Sequence, residues 1–181
     1  MKRRREKVVV RRPVTVELVP SGDVVELPPN TLAQVTQALG SSFSLLVEGQ
    51  LVRLRGADAD AIGKETPQPP TLPPEAGVDD LRKLVWQTLK TCYDPEIPID
   101  IVELGLIYSC DVTPVDDQHV AVSIRMTVTA PGCGMGEGIA AEVREKLEAL
   151  PRVETVDVEV VFDPPWDRSR MSEAAALALG L

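Results

Sequence analysis

The sequence predicts an α+β fold in which a sandwich with the order α-β-β-α-β-α follows a small β-rich domain. Three observations support this prediction. In the first half, short alternating apolar runs are separated by turn residues every eight to twelve positions, which is typical of a compact barrel or sandwich. In the second half, alternating runs are interleaved with apolar residues at three-and-four spacing, which indicates helices between strands. A proline-rich segment separates the two halves.

The domain boundaries are placed on either side of the proline-rich segment. Residues 1–62 form the predicted β-rich domain, with strands in VTVEL, FSLLV and QLVRL. Residues 31–39 fit either a strand or a short helix. Residues 63–78, which include GKETPQPPTLPPEAG, form a semi-rigid linker. Residues 79–181 form the predicted α+β domain.

The predicted α+β domain begins with a helix for which Asp79 is the expected N-cap. The apolar face of this helix carries Leu81, Leu84, Val85, Leu89 and Cys92. Pro95 and Pro98 end the helical pattern. We then expect two strands, at 106–112 and 119–129, which are joined by the turn TPVDDQ.

The last part of the chain predicts two helices and one strand. The first helix presents Ile139, Val143 and Leu147 on one face and ends before Pro151. A strand is expected at 156–162, parallel to the preceding strand because a helical crossover connects them. Ser172 is the expected cap of a short final helix.

Composition restricts the classes of function. The chain has 181 residues, 44% of them apolar, and a net charge of −9, which argues against a nucleic-acid-binding surface. The basic run at residues 2–12 flanks only Val8–Val10, too short for a secretion signal, and no stretch approaches the ~20 apolar residues of a membrane span. Three widely spaced cysteines do not form a disulfide framework, so we expect a reducing, cytoplasmic location.

The stretch MTVTAPGCGMGEGIAAEVREKLEAL, residues 126–150, is the predicted functional centre. Glycines at 132, 134, 136 and 138 surround Cys133 and Met135, at the point where a strand pattern changes to a helical one. Glycines allow a tight loop with unblocked amide N–H groups. A cysteine at a helix N-terminus is stabilised as the thiolate, the form that attacks electrophiles or binds metal. We therefore expect Cys133 to be a functional thiol.

Two other functions of this loop are weaker hypotheses. A glycine-rich turn can hold phosphate, but Glu137 occupies the third glycine position of the dinucleotide fingerprint and no Walker lysine follows. A cysteine hydrolase needs a base, and sequence order does not pair His119 with Cys133. A single thiol is also incomplete for most metals, so the other ligands would come from a second subunit, a partner protein or a small thiol.

The remaining candidate residues have structural alternatives. Cys92 and Cys110 lie on apolar faces and are expected to pack in the core, and Trp86 and Trp166 are expected to be packing residues. In the acidic loop 94–103, Asp94 and Glu96 could serve as ligands or as a base, although capping of an Asp-Pro turn is the commoner use of such residues.

Three blocks of the sequence resemble the MIP18 family, also called DUF59, whose members act in iron–sulfur protein maturation. The blocks are DPEIPIDIVELGLIY, MTVTAPGCGMGEGIAAEV and VFDPPWDRSRMSEAAALALG. The resemblance implies that the family's cysteine is Cys133, that its Asp-Pro-Glu begins at Asp94 and ends at Glu96, and that its threonine is Thr129. One departure is Gly134, where the common form has proline.

The resemblance implies an iron–sulfur assembly factor of MIP18-like α+β fold that works by protein contacts and not as an enzyme. In the first hypothesis, Cys133 transiently binds an iron–sulfur cluster, across a homodimer or with a client, and passes it on. In the second, the chain is an adaptor that recruits apo-proteins to the assembly machinery and binds no cluster. A thiol-dependent enzyme is the third hypothesis. The expected partners are the assembly machinery and its apo clients, with no nucleic acid and no membrane.

Overall fold

The computed structural model describes residues 6–39, 42–68, 70–94, 96–130 and 134–181. These residues form two compact units. The first unit contains the chain up to Gln68 together with the described parts of two later loops, 93–98 and 134–135. The second unit contains the remainder of the described chain. Each unit is described by itself.

The first unit contains an antiparallel sheet of six strands in the order β1-β4-β5-β6-β2-β3. The β5–β6 hairpin has a two-residue turn, Glu48 and Gly49, both with positive φ, as a type I′ turn requires. The chain then forms a 3₁₀ segment, Gly56–Ile62. The strands are β1 (Glu6–Val9), β2 (Val14–Leu18), β3 (Val24–Leu27), β4 (Leu32–Leu39), β5 (Ser42–Val47) and β6 (Gln50–Arg55).

The segment 31–39, which fits either a strand or a short helix in sequence, contains strand β4. It pairs with β1 on one side and with β5 on the other, so long-range pairing selects the strand. The core of this unit is almost entirely aliphatic, with Val10, Leu45 and Leu54 fully buried at its centre.

The second unit confirms the predicted α+β class and the order α-β-β-α-β-α. Its sheet has the order β7-β8-β9, with β7 antiparallel and β9 parallel to β8, so the predicted parallel crossover is confirmed. None of the helices in the described ranges is long and apolar enough to cross a membrane. The elements are α1 (Val78–Leu89), β7 (Ile107–Pro114), β8 (Val120–Met126), α2 (Met135–Glu148), β9 (Val153–Val160) and α3 (Glu173–Ala178).

Several element boundaries differ from the predictions. The N-cap of α1 is Gly77 and not Asp79, because the Asp80 carboxylate accepts the Gly77 N–H at 3.0 Å and the helix begins at Val78. Strand β8 ends at Met126, three residues before Thr129. Strand β9 begins at Val153 and not at 156, because the Val153 Cα is in register with that of Val120 on β8.

The core of the second unit lies on one face of the sheet. Strand β8 alternates buried valine, isoleucine and methionine with more exposed residues such as Ser123 and Arg125. The apolar stripes of α1 and α2 are buried, including Leu81, Leu89, Val143 and Leu147. At the end of the chain, the Ser172 Oγ accepts the Ala175 N–H at 3.0 Å, which confirms Ser172 as the cap of α3.

Candidate functional site

Cys133 lies outside the described residues, and so does Pro95. The described chain approaches Cys133 from both sides: β8 ends at Met126, and α2 begins at Met135. Between them, Thr127 and Val128 are buried and Thr129 is half-buried. A Cβ on Gly136, in the first turn of α2, would lie 3.0 Å from Val128 Cγ1. Because glycine has no Cβ, the Val128 side chain can pack closely against the backbone of this turn.

Asp94 is 7% exposed and holds a tight turn in the acidic loop. Its Oδ1 accepts the backbone N–H groups of Glu96 and Ile97 at 2.9 and 3.0 Å. This is the capping geometry that the Asp-Pro pattern predicts as one of two alternatives. Glu96 is exposed, and its carboxylate therefore faces water next to the capped turn.

A second turn of the same kind follows six residues later. The Asp100 Oδ1 accepts the N–H groups of Val102 and Glu103, both at 3.0 Å, and burial raises the pKa of this carboxyl group. The pKa of Glu103 is lowered, first by a hydrogen bond from the Ser172 side chain and then by Lys90, whose Nζ lies 3.0 Å from Oε1. Two aspartate-capped turns thus define the path of the acidic loop.

The first unit has two contacts that involve the loops near the predicted site. The Gln37 side chain of β4 donates from Nε2 to the Asp94 carbonyl oxygen at 3.2 Å. A Cβ on Gly134 would overlap the Ser21 carbonyl oxygen, and one on Gly22 would lie 2.6 Å from the Gly134 carbonyl carbon. A proline at Gly134, the common form in the resembling family, would meet the same obstruction, which gives the departure at this position a steric reason.

The other cysteines are poor candidates for reactive thiols. Cys92 is fully buried, as expected, and its Sγ lies 3.4 Å from Lys146 Nζ. Cys110 is half-buried on β7, where burial and then the neighbouring Asp111 raise the pKa of its thiol to about 11. At neutral pH the Cys110 thiol is therefore protonated.

His119 is exposed, and its Nδ1 lies 2.9 Å from Asp116 Oδ2. Glu154 completes a cluster whose ligand-type atoms lie within 4.8 Å of one another. All three side chains are exposed, and the hydrogen bonds of the turn that Asp116 caps account for the positions of Asp116 and His119. We assign no metal to it.

Comparison with known proteins decides the family. Residues 82–160 match the family model described as iron-sulfur cluster assembly protein. The Fe-S protein maturation auxiliary factor of Porphyromonas gingivalis is 42% identical over 96 residues, which span 53% of this chain and 88% of that protein. The chain belongs to the iron-sulfur cluster assembly protein family. The resemblance predicted from the sequence is thereby confirmed.

Two further comparisons each match about half of the chain. The Fe-S protein maturation auxiliary factor SufT of Staphylococcus aureus is 42% identical over 88 residues, 49% of this chain and 96% of that protein. A solved DUF59 domain of Bacillus anthracis is 37% identical, covers 57% of this chain and 94% of that chain, and superposes with a TM-score of 0.48.

The matched range contains Asp94, Thr129 and Cys133 and leaves residues 1–81 outside it. Family membership assigns the chain a role in iron–sulfur assembly or maturation and implies association with the assembly machinery. Asp94 and Glu96 belong to the first unit, and Thr129 belongs to the second. The roles of these residues and of Cys133 stay predictions.

Proposed function

We propose that this iron-sulfur cluster assembly protein is a carrier that binds a cluster transiently through Cys133 and passes it to apo client proteins. The observation that supports the proposal is the position of Cys133. It lies within the matched range 82–160, and it precedes the first residue of α2, Met135, by two positions. A cysteine placed just before a helix N-terminus is favoured as the thiolate, which is the form that binds iron.

The environments of the other two cysteines support the assignment of Cys133. Cys92 is 0% exposed, and the Cys110 thiol, with a pKa of about 11, rarely forms a thiolate at neutral pH. Clusters are held by several thiolates. One thiolate per chain therefore requires ligands from a second copy, a client or a small thiol, and we propose a homodimer or a client complex as the loaded form.

A cluster with few ligands from the carrier is suited to transfer. If one chain supplied all the thiolates, the acceptor would have to replace each of them before release. Thr129, Asp94 and Glu96 are proposed as supporting residues. The capped turn at Asp94 fixes the backbone of Glu96 and leaves that side chain exposed to a partner. This function requires no turnover of a substrate, and we propose that the chain is not an enzyme and works in the cytoplasm.

Anaerobic reconstitution tests the proposal. Wild type, Cys133→Ala and Cys110→Ala are incubated with iron and sulfide and desalted. Bound iron and sulfide are then assayed, and size-exclusion chromatography gives the oligomeric state. We expect wild type and the matched control Cys110→Ala to retain iron and sulfide and to shift toward a dimer, whereas Cys133→Ala retains neither. Equal cluster content in Cys133→Ala would contradict the proposal.

The adaptor hypothesis predicts a different result in the same experiment. If neither wild type nor Cys110→Ala retains a cluster while Cys133→Ala still captures apo clients, the chain acts by recruitment alone. The six-stranded sheet of the first unit lies outside the matched range 82–160, and it would then be the natural place to search for the client-binding surface.

A further inference from the structure

The chain after β9 forms an irregular segment, Asp163–Ser172, which we call the C-terminal clasp. It contacts the loop 103–108, whose last two residues begin β7. The Trp166 Nε1 donates to the Leu104 carbonyl oxygen at 2.8 Å, and the Tyr108 hydroxyl donates to the Pro164 carbonyl oxygen at 2.7 Å. The sequence suggests only packing for Trp166, but the structure gives its indole N–H a specific acceptor.

Three more contacts continue along the same loop. The Ser172 N–H donates to the Glu103 carbonyl oxygen at 2.8 Å. The Arg170 guanidinium lies over the Tyr108 ring, 4.3 Å from its centroid. Gly105 has φ +71°, and a Cβ there would overlap the Arg170 carbonyl oxygen. The clasp therefore contacts the loop at Glu103, Leu104, Gly105 and Tyr108.

The contacted loop also supports the chain segment that leads toward Cys133. The Leu106 carbonyl oxygen accepts the Thr127 N–H at 2.8 Å, immediately after β8 ends. Val161, two residues before the clasp, takes part as well, because its N–H donates to the Met126 carbonyl oxygen at 2.8 Å. Clasp, loop and the start of the segment 127–130 are thus connected by backbone hydrogen bonds.

The clasp contributes little to the core. Most of its residues are exposed, and only Trp166, Met171 and Ser172 are half-buried. The loop residues beneath it, Leu104 and Leu106, are fully buried. A segment held by a few polar contacts and little apolar burial opens locally at lower free energy than the core. Its effect on the loop can therefore be changed without unfolding the second unit.

We infer that the C-terminal clasp positions the loop 103–108 and, through it, the segment that leads to Cys133, with Trp166 as the main positioning residue. The inference rests on the proposed carrier function, since the positioned segment is the one that holds the proposed cluster ligand. Trp166 acts through Leu104 and Leu106 and has no assigned contact with the cargo.

The structural part is tested by hydrogen exchange. Trp166→Phe keeps an aromatic ring and removes the indole N–H donor, and Trp86→Phe, on α1, is the matched control for the loss of ring size. We expect the amides of Thr127 and Ser172 to exchange roughly fivefold faster in Trp166→Phe, while those in the middle of β8 keep their wild-type rates. Tyr108→Phe removes a second clasp bond and should give the same pattern. Unchanged rates at Thr127 and Ser172 in both clasp variants would overturn the inference, and so would a uniform increase across β8.

The functional part is tested by the rate of cluster transfer to an apo acceptor, normalised to bound iron. We expect a reduction of several-fold in Trp166→Phe relative to Trp86→Phe at equal iron content. If Trp166 only stabilised the fold, Trp166→Phe would lower the midpoint of unfolding and leave the normalised transfer rate unchanged. That result would overturn the inference. If none of the proteins holds iron, the proposed function is wrong, and the exchange rates alone then decide whether the clasp positions the loop.

Discussion

Replacing Gly105 with alanine should destabilise the second unit by about 3 kcal/mol. Gly105 has φ +71°, and the left-handed conformation costs a residue with a Cβ roughly 1 kcal/mol. The new Cβ would overlap the Arg170 carbonyl oxygen and lie 2.7 Å from the Arg170 carbonyl carbon, where contacts of about 3.5 Å are normal. The clasp must therefore move away from residue 105. The bonds from Ser172 to Glu103 and from Trp166 to Leu104 are then lost, at about 1 kcal/mol each.

Gly180→Ala is the matched control for this prediction. Gly180 also has a positive φ, +74°, but nothing lies within 4 Å of the Cβ that alanine would add, so only the conformational cost of about 1 kcal/mol applies. Urea unfolding followed by tryptophan fluorescence reports the second unit, because Trp86 and Trp166 both belong to it. A loss in Gly105→Ala no larger than that in Gly180→Ala, at equal m-value, would refute the clasp contacts.

Two further predictions concern titratable groups. Burial and the neighbouring Asp111 raise the pKa of the Cys110 thiol to about 11. At pH 8 this thiol should therefore react with iodoacetamide at least tenfold more slowly than a cysteine in an unfolded peptide. Mass spectrometry of the labelled protein measures the rate, and equal rates would contradict the burial of Cys110. Hydrogen bonds from His119 hold the pKa of Asp116 at about 2, so the stabilisation from this carboxylate is complete above about pH 4 and is lost as the pH falls through about 2. In His119→Gln, NMR titration of the Asp116 carboxyl carbon should give a midpoint closer to the ordinary value of about 3.9, and an unchanged midpoint would exclude the imidazole as the cause.

Periodicity in the sequence was sufficient to predict which helices and strands the second unit contains, but it did not predict the residues at which they begin and end. The alternation in β8 and the three-and-four spacing in α1 and α2 predict those elements because each buries one face. Strand β9 begins at Val153 because this residue pairs with Val120 on β8, and the local sequence does not indicate that pairing. The N-cap of α1 is Gly77 because Asp80 reaches back to its N–H, which makes Asp79 a first-turn residue.

The candidate site was predictable where it depends on local chemistry. The Asp-Pro pattern indicates a capped turn, and Asp94 forms one. The role of Trp166 was not predictable, because its acceptor, Leu104, is 62 residues away and lies in a loop without periodicity. The segment ambiguous between strand and helix, β4, shows the same limit, since its pairing with β1 and β5 decides its conformation.

The most direct test of the central claim measures cluster transfer itself. Wild type loaded under anaerobic conditions is mixed with an apo ferredoxin-type acceptor, and the acceptor's circular dichroism in the visible range is followed over time. If Cys133 carries a cluster for transfer, loaded wild type should convert the acceptor faster than equal amounts of free iron and sulfide, and Cys133→Ala should give no acceleration. Acceptor conversion by loaded wild type at the rate of free iron and sulfide would contradict the carrier function.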